Sequence, residues 1–113
     1  MAVVPKGLVE SQQLTNANAT YYTATNVRTI IDKMTLCNTT SGAVTATVDL
    51  VDSGGSAGAS ERIISARSIA AGETYICPEA VGHVLNNGDS IQALASANTS
   101  ITIRVSGREI TGV

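Results

Sequence analysis

The chain has 113 residues, with seven Lys plus Arg, nine Asp plus Glu and a formal charge of −2. Charged residues make up 14%, against roughly 25% in an average soluble domain, and there is no Phe, no Trp and only three Tyr. These figures exclude the basic footprint of a nucleic-acid binder and the aromatic platform of a stacking cleft, leave no apolar run long enough for a membrane span, and fit one domain with a modest core.

Residues 1–19 read as an extended N-terminal arm. Pro5 and Gly7 punctuate it, and Thr15-Asn16-Ala17-Asn18-Ala19 is small and polar. With little apolar material to pack on itself, such an arm orders on a partner; a short first strand at Leu8 to Leu14 is the alternative. Its opening, Met1-Ala2-Val3-Val4-Pro5-Lys6, lacks the basic start and long apolar stretch of a signal peptide.

From residue 20 to 113 the chain reads as one β-sandwich domain. Thr20-Tyr21-Tyr22-Thr23 is a short strand. Arg28 to Cys37 is a long one, with Ile30, Asp32, Met34 and Leu36 expected on one face and Ile31, Lys33, Thr35 and Cys37 on the other. Asn38 to Gly42 is a turn. Val44, Ala46, Val48 and Leu50 then alternate with Thr45, Thr47 and Asp49, the period of a half-buried strand; a helix would scatter these apolar positions around its circumference.

Asp52 to Ser60 is a Gly/Ser/Ala loop whose glycines lack the spacing and the lysine of a phosphate-binding loop. Arg62 to Ala66 resumes a strand, and Ala70 to Thr74 is a turn before Tyr75-Ile76-Cys77, which Pro78 ends. Pro78 to Gly82 has room for one helical turn. Asn86-Asn87-Gly88-Asp89 is a strong turn signal. Ile91, Ala93 and Ala95 share a face of the next strand, and Ile101, Ile103 and Val105 a face of the last long one, before a tail at 108–113. Seven or eight short strands with a turn every ten residues or so define an antiparallel β-sandwich, with jelly-roll and Ig-like connectivity equally compatible.

Little in the sequence suggests catalysis. Cys37 and Cys77 stand without a CxxC or paired His spacing, so they read as small buried or half-buried hydrophobes rather than zinc ligands; a disulfide would need their Cα atoms within about 7 Å. His83 is the single histidine, in a loop-like stretch with no nucleophile motif beside it. Glu61 with Glu73, or Asp32 with Asp49, are formal acid–base pairs, but carboxylates on the polar faces of strands are ordinarily just solvated. No catalytic, cofactor or metal residue is expected.

Taken in order, Met34-Thr35-Leu36-Cys37-Asn38-Thr39-Thr40-Ser41-Gly42, Val44 to Val51, Ser53-Gly54-Gly55-Ser56-Ala57-Gly58, Ile69 to Thr74, Gly88 to Ser96 and Val105 to Ile110 give a chain that resembles small structural proteins of tailed bacteriophages. The resemblance covers residues 20–110 and rests on order and spacing, not on one motif. It implies a non-enzymatic β-sandwich in a virion, partnered with a major capsid protein or other virion proteins and with copies of itself, and with neither nucleic acid nor membrane.

The expected role is capsid decoration (cement), with a tail, neck or fibre-attachment component forming a ring or trimer as the alternative. The arm residues Val3, Val4, Pro5, Leu8 and Val9 and the loop residues Ser53, Gly54, Gly55 and Ser56 are the expected contact points. A sparsely charged surface suits them, because interface cores are depleted in charge. A carbohydrate-binding module for host recognition is a third expectation, weakened because adjacent Tyr21 and Tyr22 point to opposite faces of a strand and leave Tyr75 alone.

Overall fold

A computed structural model describes residues 2–112; Met1 and Val113, the outer ends of the arm and of the domain, lie outside the described residues. The described residues form nine strands: β1 (Ala2–Gln13), β2 (Ala19–Thr23), β3 (Arg28–Asn38), β4 (Val44–Val51), β5 (Arg62–Ile69), β6 (Thr74–Tyr75), β7 (Val84–Leu85), β8 (Ser90–Ala95) and β9 (Ile101–Thr111). A 3-10 turn, Ala59–Glu61, precedes β5.

The strands form two antiparallel sheets. One has the order β1-β9-β3, with β6 and β7 sharing the far edge of β3; the other has the order β2-β8-β4-β5. Every connection crosses between the sheets except the β4–β5 hairpin and the β6–β7 link. This is the strand order of a jelly roll, in which two Greek keys interleave. The choice between jelly-roll and Ig-like wiring thus falls to pairing partners that no local pattern encodes.

The core between the sheets is aliphatic, as the missing Phe and Trp require. Ile31, Met34, Leu36, Ile69, Ile91, Ile101 and Ile103 have no exposed surface. The alternation read from β8 and β9 holds, since Ile91, Ala93, Ala95, Ile101, Ile103 and Val105 are all buried. In β4 it holds for Val44, Ala46 and Val48, beyond which Leu50 is half-buried and Val51 buried; the register shift at Val48 and Asp49 is an extra residue, Ile63, on β5.

Two other bulges redirect side chains. In β3 a register shift between Ile31 and Lys33 leaves Asp32 unpaired against β9, so Ile31, not Ile30, joins Met34 and Leu36 in the core. The displaced Asp32 accepts Nη2 and Nε of Arg108 at 2.9 and 3.0 Å. In β5, Ala66 takes a left-handed conformation (φ 42°), and its N–H is met by Thr47 Oγ1 at 3.0 Å. The extra residue carries β5 on to Ile69, which is fully buried, beyond the expected end at Ala66.

The arm segment is built into the first sheet. β1 pairs along its length with β9, from Ala2 opposite Thr111 to Gln13 opposite Thr102, and Leu8, Val9 and Leu14 enter the core. Bulges near Gly7 and between Val9 and Gln12 let consecutive Leu8 and Val9 both turn inward. Residues 15–18 then carry the chain to the other sheet.

Every buried side-chain nitrogen or oxygen among the described residues has a hydrogen-bond partner. Asn38, fully buried, donates Nδ2 to the carbonyls of Gly42 and Ile69 and accepts from Thr40 N at 2.9 Å, which fixes the β3–β4 turn. Cys37 and Cys77 are both free thiols, half-buried and buried respectively. Among the described residues no helix is long and apolar enough to cross a membrane.

Candidate functional site

The groups on which chemistry would depend are each engaged in holding the fold. Asp49, 2% exposed, receives Arg62 Nε at 2.9 Å. Asp32 is bound by Arg108, Glu61 accepts from Asp52 N at 2.9 Å, and Glu73 accepts from Ala70 N at 3.0 Å. Neither candidate carboxylate pair is brought together by these partners. Among the described residues no three His, Cys, Asp or Glu side chains group as a metal site.

The tyrosines do not form a common platform. Tyr22 is buried; its hydroxyl donates to Glu109 and lies 2.7 Å from Thr29 Oγ1. Burial, then the adjacent Glu109, push this phenol up to about 12. Tyr75 has Arg67 over its ring at 4.1 Å, and its hydroxyl donates to Glu79, which holds Glu79 below the usual carboxylate range. Both rings are therefore covered on at least one side, and they belong to opposite edges of the sandwich.

What remains is surface, and its least protected part is a sheet edge. An edge strand offers unpaired N–H and C=O groups to any strand laid beside it. β2, β6 and β7 are short, and β5 is bulged and carries Arg62 and Arg67. β1 is an edge strand twelve residues long. Its only charges are Lys6 and Glu10, and Lys6 already reaches Glu109 at 3.4 Å. Pro5 is tolerated there because an edge residue need not donate outward.

The large exposed hydrophobics fall in two places. Val3 (50%) and Val4 (46%) lie on β1, while Ile76 (63%), Val81 (53%) and Val84 (47%) lie on the β6–β7 segment. These are the two opposite edges of one sheet. The second group was not legible as a site: Tyr75-Ile76-Cys77 reads as a strand and Gly82 to Leu85 as a loop, and only the pairing of β6 and β7 on β3 shows that their outer sides stay open. The single local signal is an apolar residue density unusual for a segment of turns.

The expected contact residues divide accordingly. Val3, Val4 and Pro5 stand on the open edge, whereas Leu8 and Val9 are 7% and 1% exposed and point into the core. Ser53, Gly54, Gly55 and Ser56 form an exposed turn after β4. Its base is pinned, with Ser53 N donating to Asp89 Oδ1 and Gly55 N to the Asp52 carbonyl, both at 2.8 Å, while Gly54 supplies the left-handed conformation (φ 79°). The turn belongs to the edge of the second sheet on the β5 side, away from β1.

No family model matches the chain, and no curated protein matches it. Among solved structures, a chain in the structure of infectious bursal disease virus Gx strain is similar in fold, with a TM-score of 0.51 at 15% identity. The match covers 96% of this chain and 30% of that one, so this chain spans less than a third of its length. At that identity the likeness concerns the fold alone.

Proposed function

We propose that the chain is a non-enzymatic structural protein of a virus particle, a capsid decoration protein that binds an assembled shell. The observation that carries this is the combination of a jelly roll with a long, sparsely charged open edge bearing Val3, Val4 and Pro5. A fold match to a chain from a virus structure supports it, as does the resemblance to small structural proteins of tailed bacteriophages. A repeated shell suits such a surface, because many weak apolar and backbone contacts add up under symmetry.

The test mixes purified protein with undecorated shells of the particle it comes from. Saturable occupancy, lowered at least tenfold in affinity by Val3→Lys/Val4→Lys, is the expected result. Absence of binding by the wild-type chain overturns the proposal.

A second reading, a ring-forming tail, neck or fibre-attachment component, is favoured by the pair of apolar edges on opposite sides of one sheet. Copy number separates the two. Hundreds of copies per particle fit decoration, and a handful fit the ring.

A further inference from the structure

Cations are scarce in this chain, and most of the seven are already engaged. Lys6, Arg62 and Arg108 each hold a carboxylate, and Arg67 lies over the Tyr75 ring. Among the described residues Arg28, Lys33 and Arg104 have neither an acidic nor an aromatic partner. Two of these three meet in one hollow of about 230 Å³, lined by Lys33, Thr35, Arg104 and Ser106.

The alternation of the two central strands builds this hollow. Met34 and Leu36 on β3 and Ile103 and Val105 on β9 are buried in the core, so the residues between them project from the outer face of the sheet. In the ladder Lys33 faces Ser106 and Thr35 faces Arg104. The two cations therefore stand on one diagonal of a rectangle and the two hydroxyls on the other. Opposite residues lie about 5 Å apart and diagonal ones about 7–8 Å. The short hydroxyl side chains leave the floor open, and the long cationic ones wall it at two corners. Arg104 is steadied from β1 by Ser11 Oγ, which accepts its Nη1 at 2.9 Å.

Two carboxylates stand nearby. Asp32 precedes Lys33 but accepts Arg108 Nη2 at 2.9 Å, and Glu10 reaches back along β1 to Gly7, where a Cβ would lie 3.0 Å from its Oε1. Neither lines the hollow.

The donor set selects the ligand. Lys and Arg only donate, and each hydroxyl is free to donate as well. A carboxylate is planar and brings one negative charge to two positive ones. A sulfate or phosphate brings nearly two, about −1.5 to −2 for a phosphate monoester at neutral pH. Its oxygens point in tetrahedral directions, so it meets donors on both strands and both diagonals at once. At about 30 Å³ per water the hollow has the room of roughly seven waters, enough for such a group and the first atoms of whatever carries it.

We infer that the outer face of the β1-β9-β3 sheet carries a binding site for a tetrahedral oxyanion, sulfate or phosphate, free or as an ester, held by Lys33 and Arg104 over the hydroxyls of Thr35 and Ser106. The site lies on a sheet face and not on the Val3–Val4 edge, so it does not depend on the capsid reading. A chain that ignores shells keeps it, and a chain that coats shells can lack it.

The test titrates the full, isotope-labelled chain with sodium sulfate at ionic strength held constant with sodium chloride, and follows backbone amide shifts by NMR. Saturable shifts in the millimolar range, centred on Lys33, Thr35, Arg104 and Ser106, are expected. Lys33→Ala/Arg104→Ala is expected to weaken binding at least tenfold and Thr35→Val/Ser106→Ala at least threefold. Arg28→Ala, which removes a cation outside the hollow, should leave it unchanged. Shifts that never saturate overturn the inference, as does unchanged binding in either hollow variant. Equal weakening by Arg28→Ala also overturns it, in favour of general attraction to cations. Should the alanine variant lose its fold by circular dichroism, Lys33→Gln and Arg104→Gln are tested singly. Each is expected to weaken binding at least threefold, and an unchanged dissociation constant counts against the site. Inorganic phosphate and glucose 6-sulfate, titrated in the same way, separate the sources. Binding of glucose 6-sulfate extends the site to esters, binding of the inorganic ions alone confines it to the free ion, and failure of all three overturns it.

Discussion

The hydroxyl of Tyr22 on β2 donates to the carboxylate of Glu109 on β9, a bond between polar atoms that joins the two sheets. Thr29 Oγ1 approaches the same hydroxyl at 2.7 Å, and Lys6 Nζ approaches Glu109 from β1 at 3.4 Å. A run of four side chains, Thr29, Tyr22, Glu109 and Lys6, thus closes the β1–β2 side of an otherwise aliphatic sandwich.

Tyr22→Phe removes the centre of that run and leaves the Glu109 carboxylate without its donor and the buried Thr29 hydroxyl without its acceptor. Stability is expected to fall by about 1–3 kcal/mol, read as a lower urea midpoint at unchanged slope. The pH dependence has a definite sign. The phenol's pKa rises from 10.0 to about 12 on folding, so between these values the folded chain holds a proton that the unfolded chain has lost. Its contribution is complete below about pH 10 and fades as pH rises towards 12. The difference between wild type and Tyr22→Phe should shrink across that window; a constant difference would refute the assignment.

Gly107 on β9 faces Ile31 across the β3 bulge, where a Cβ would collide with the Ile30 carbonyl oxygen and come within 2.8 Å of Leu8 Cδ1. Neither obstacle yields easily, one being backbone and the other a packed core side chain. Gly107→Ala is expected to cost at least about 2 kcal/mol, whereas Gly42→Ala, with nothing within 4 Å of its Cβ, should change stability little. Urea titrations of the two variants side by side check the contrast.

Deleting residues 1–15 removes Leu8, Val9 and Leu14, all buried, and exposes the whole length of β9. At about 1.5–3 kcal/mol for each buried aliphatic side chain, the loss reaches the 5–15 kcal/mol that separates most folded domains from unfolding. The truncated chain is expected to be largely unfolded by circular dichroism. Substitutions at Val3 and Val4, both on the surface, are therefore the sound probe of contacts made by this segment.

Cys77 is fully buried in a left-handed conformation (φ 49°), and burial pushes its thiol up to about 12. A thiol that keeps its proton and has no access to solvent does not attack a disulfide reagent. At pH 8 the native chain should release at most one equivalent of colour from a thiol-reactive disulfide, from Cys37, and the second only when denaturant is added. Two rapid equivalents in the native state would show that the β6–β7 segment opens readily.

The sheets were legible wherever a strand lies between two neighbours and keeps strict alternation. Val44, Ala46 and Val48, then Ile91, Ala93 and Ala95, then Ile101, Ile103 and Val105 announce their buried faces because a period of two has no other explanation in a folded chain. The bulges were not legible. Asp32 and Ala66 look like any other members of their strands, and only the partner strand's register shows that each is an extra residue that flips everything after it.

The candidate surface divides in the same way. Val3, Val4 and Pro5 drew attention as apolar, extended-favouring residues without a local core, and they lie on an open edge. Leu8 and Val9 carry the same chemistry in the same segment and are buried, because bulges in β1 turn both inward. Ile76, Val81 and Val84 gave little sign of exposure in a stretch of turns.

Composition alone determined that this chain builds a thin aliphatic sandwich with few charges, since it has nothing larger than Tyr, Met, Leu and Ile to fill a core. Alternation determined that the layers are sheets. The tertiary structure decided the rest: which strands pair, hence the jelly-roll order, and which edges stay open, hence that β1 and the β6–β7 segment face outward at opposite edges of one sheet. Pairing between strands many residues apart is set by the fit of whole faces against one another, and no window of sequence contains both partners.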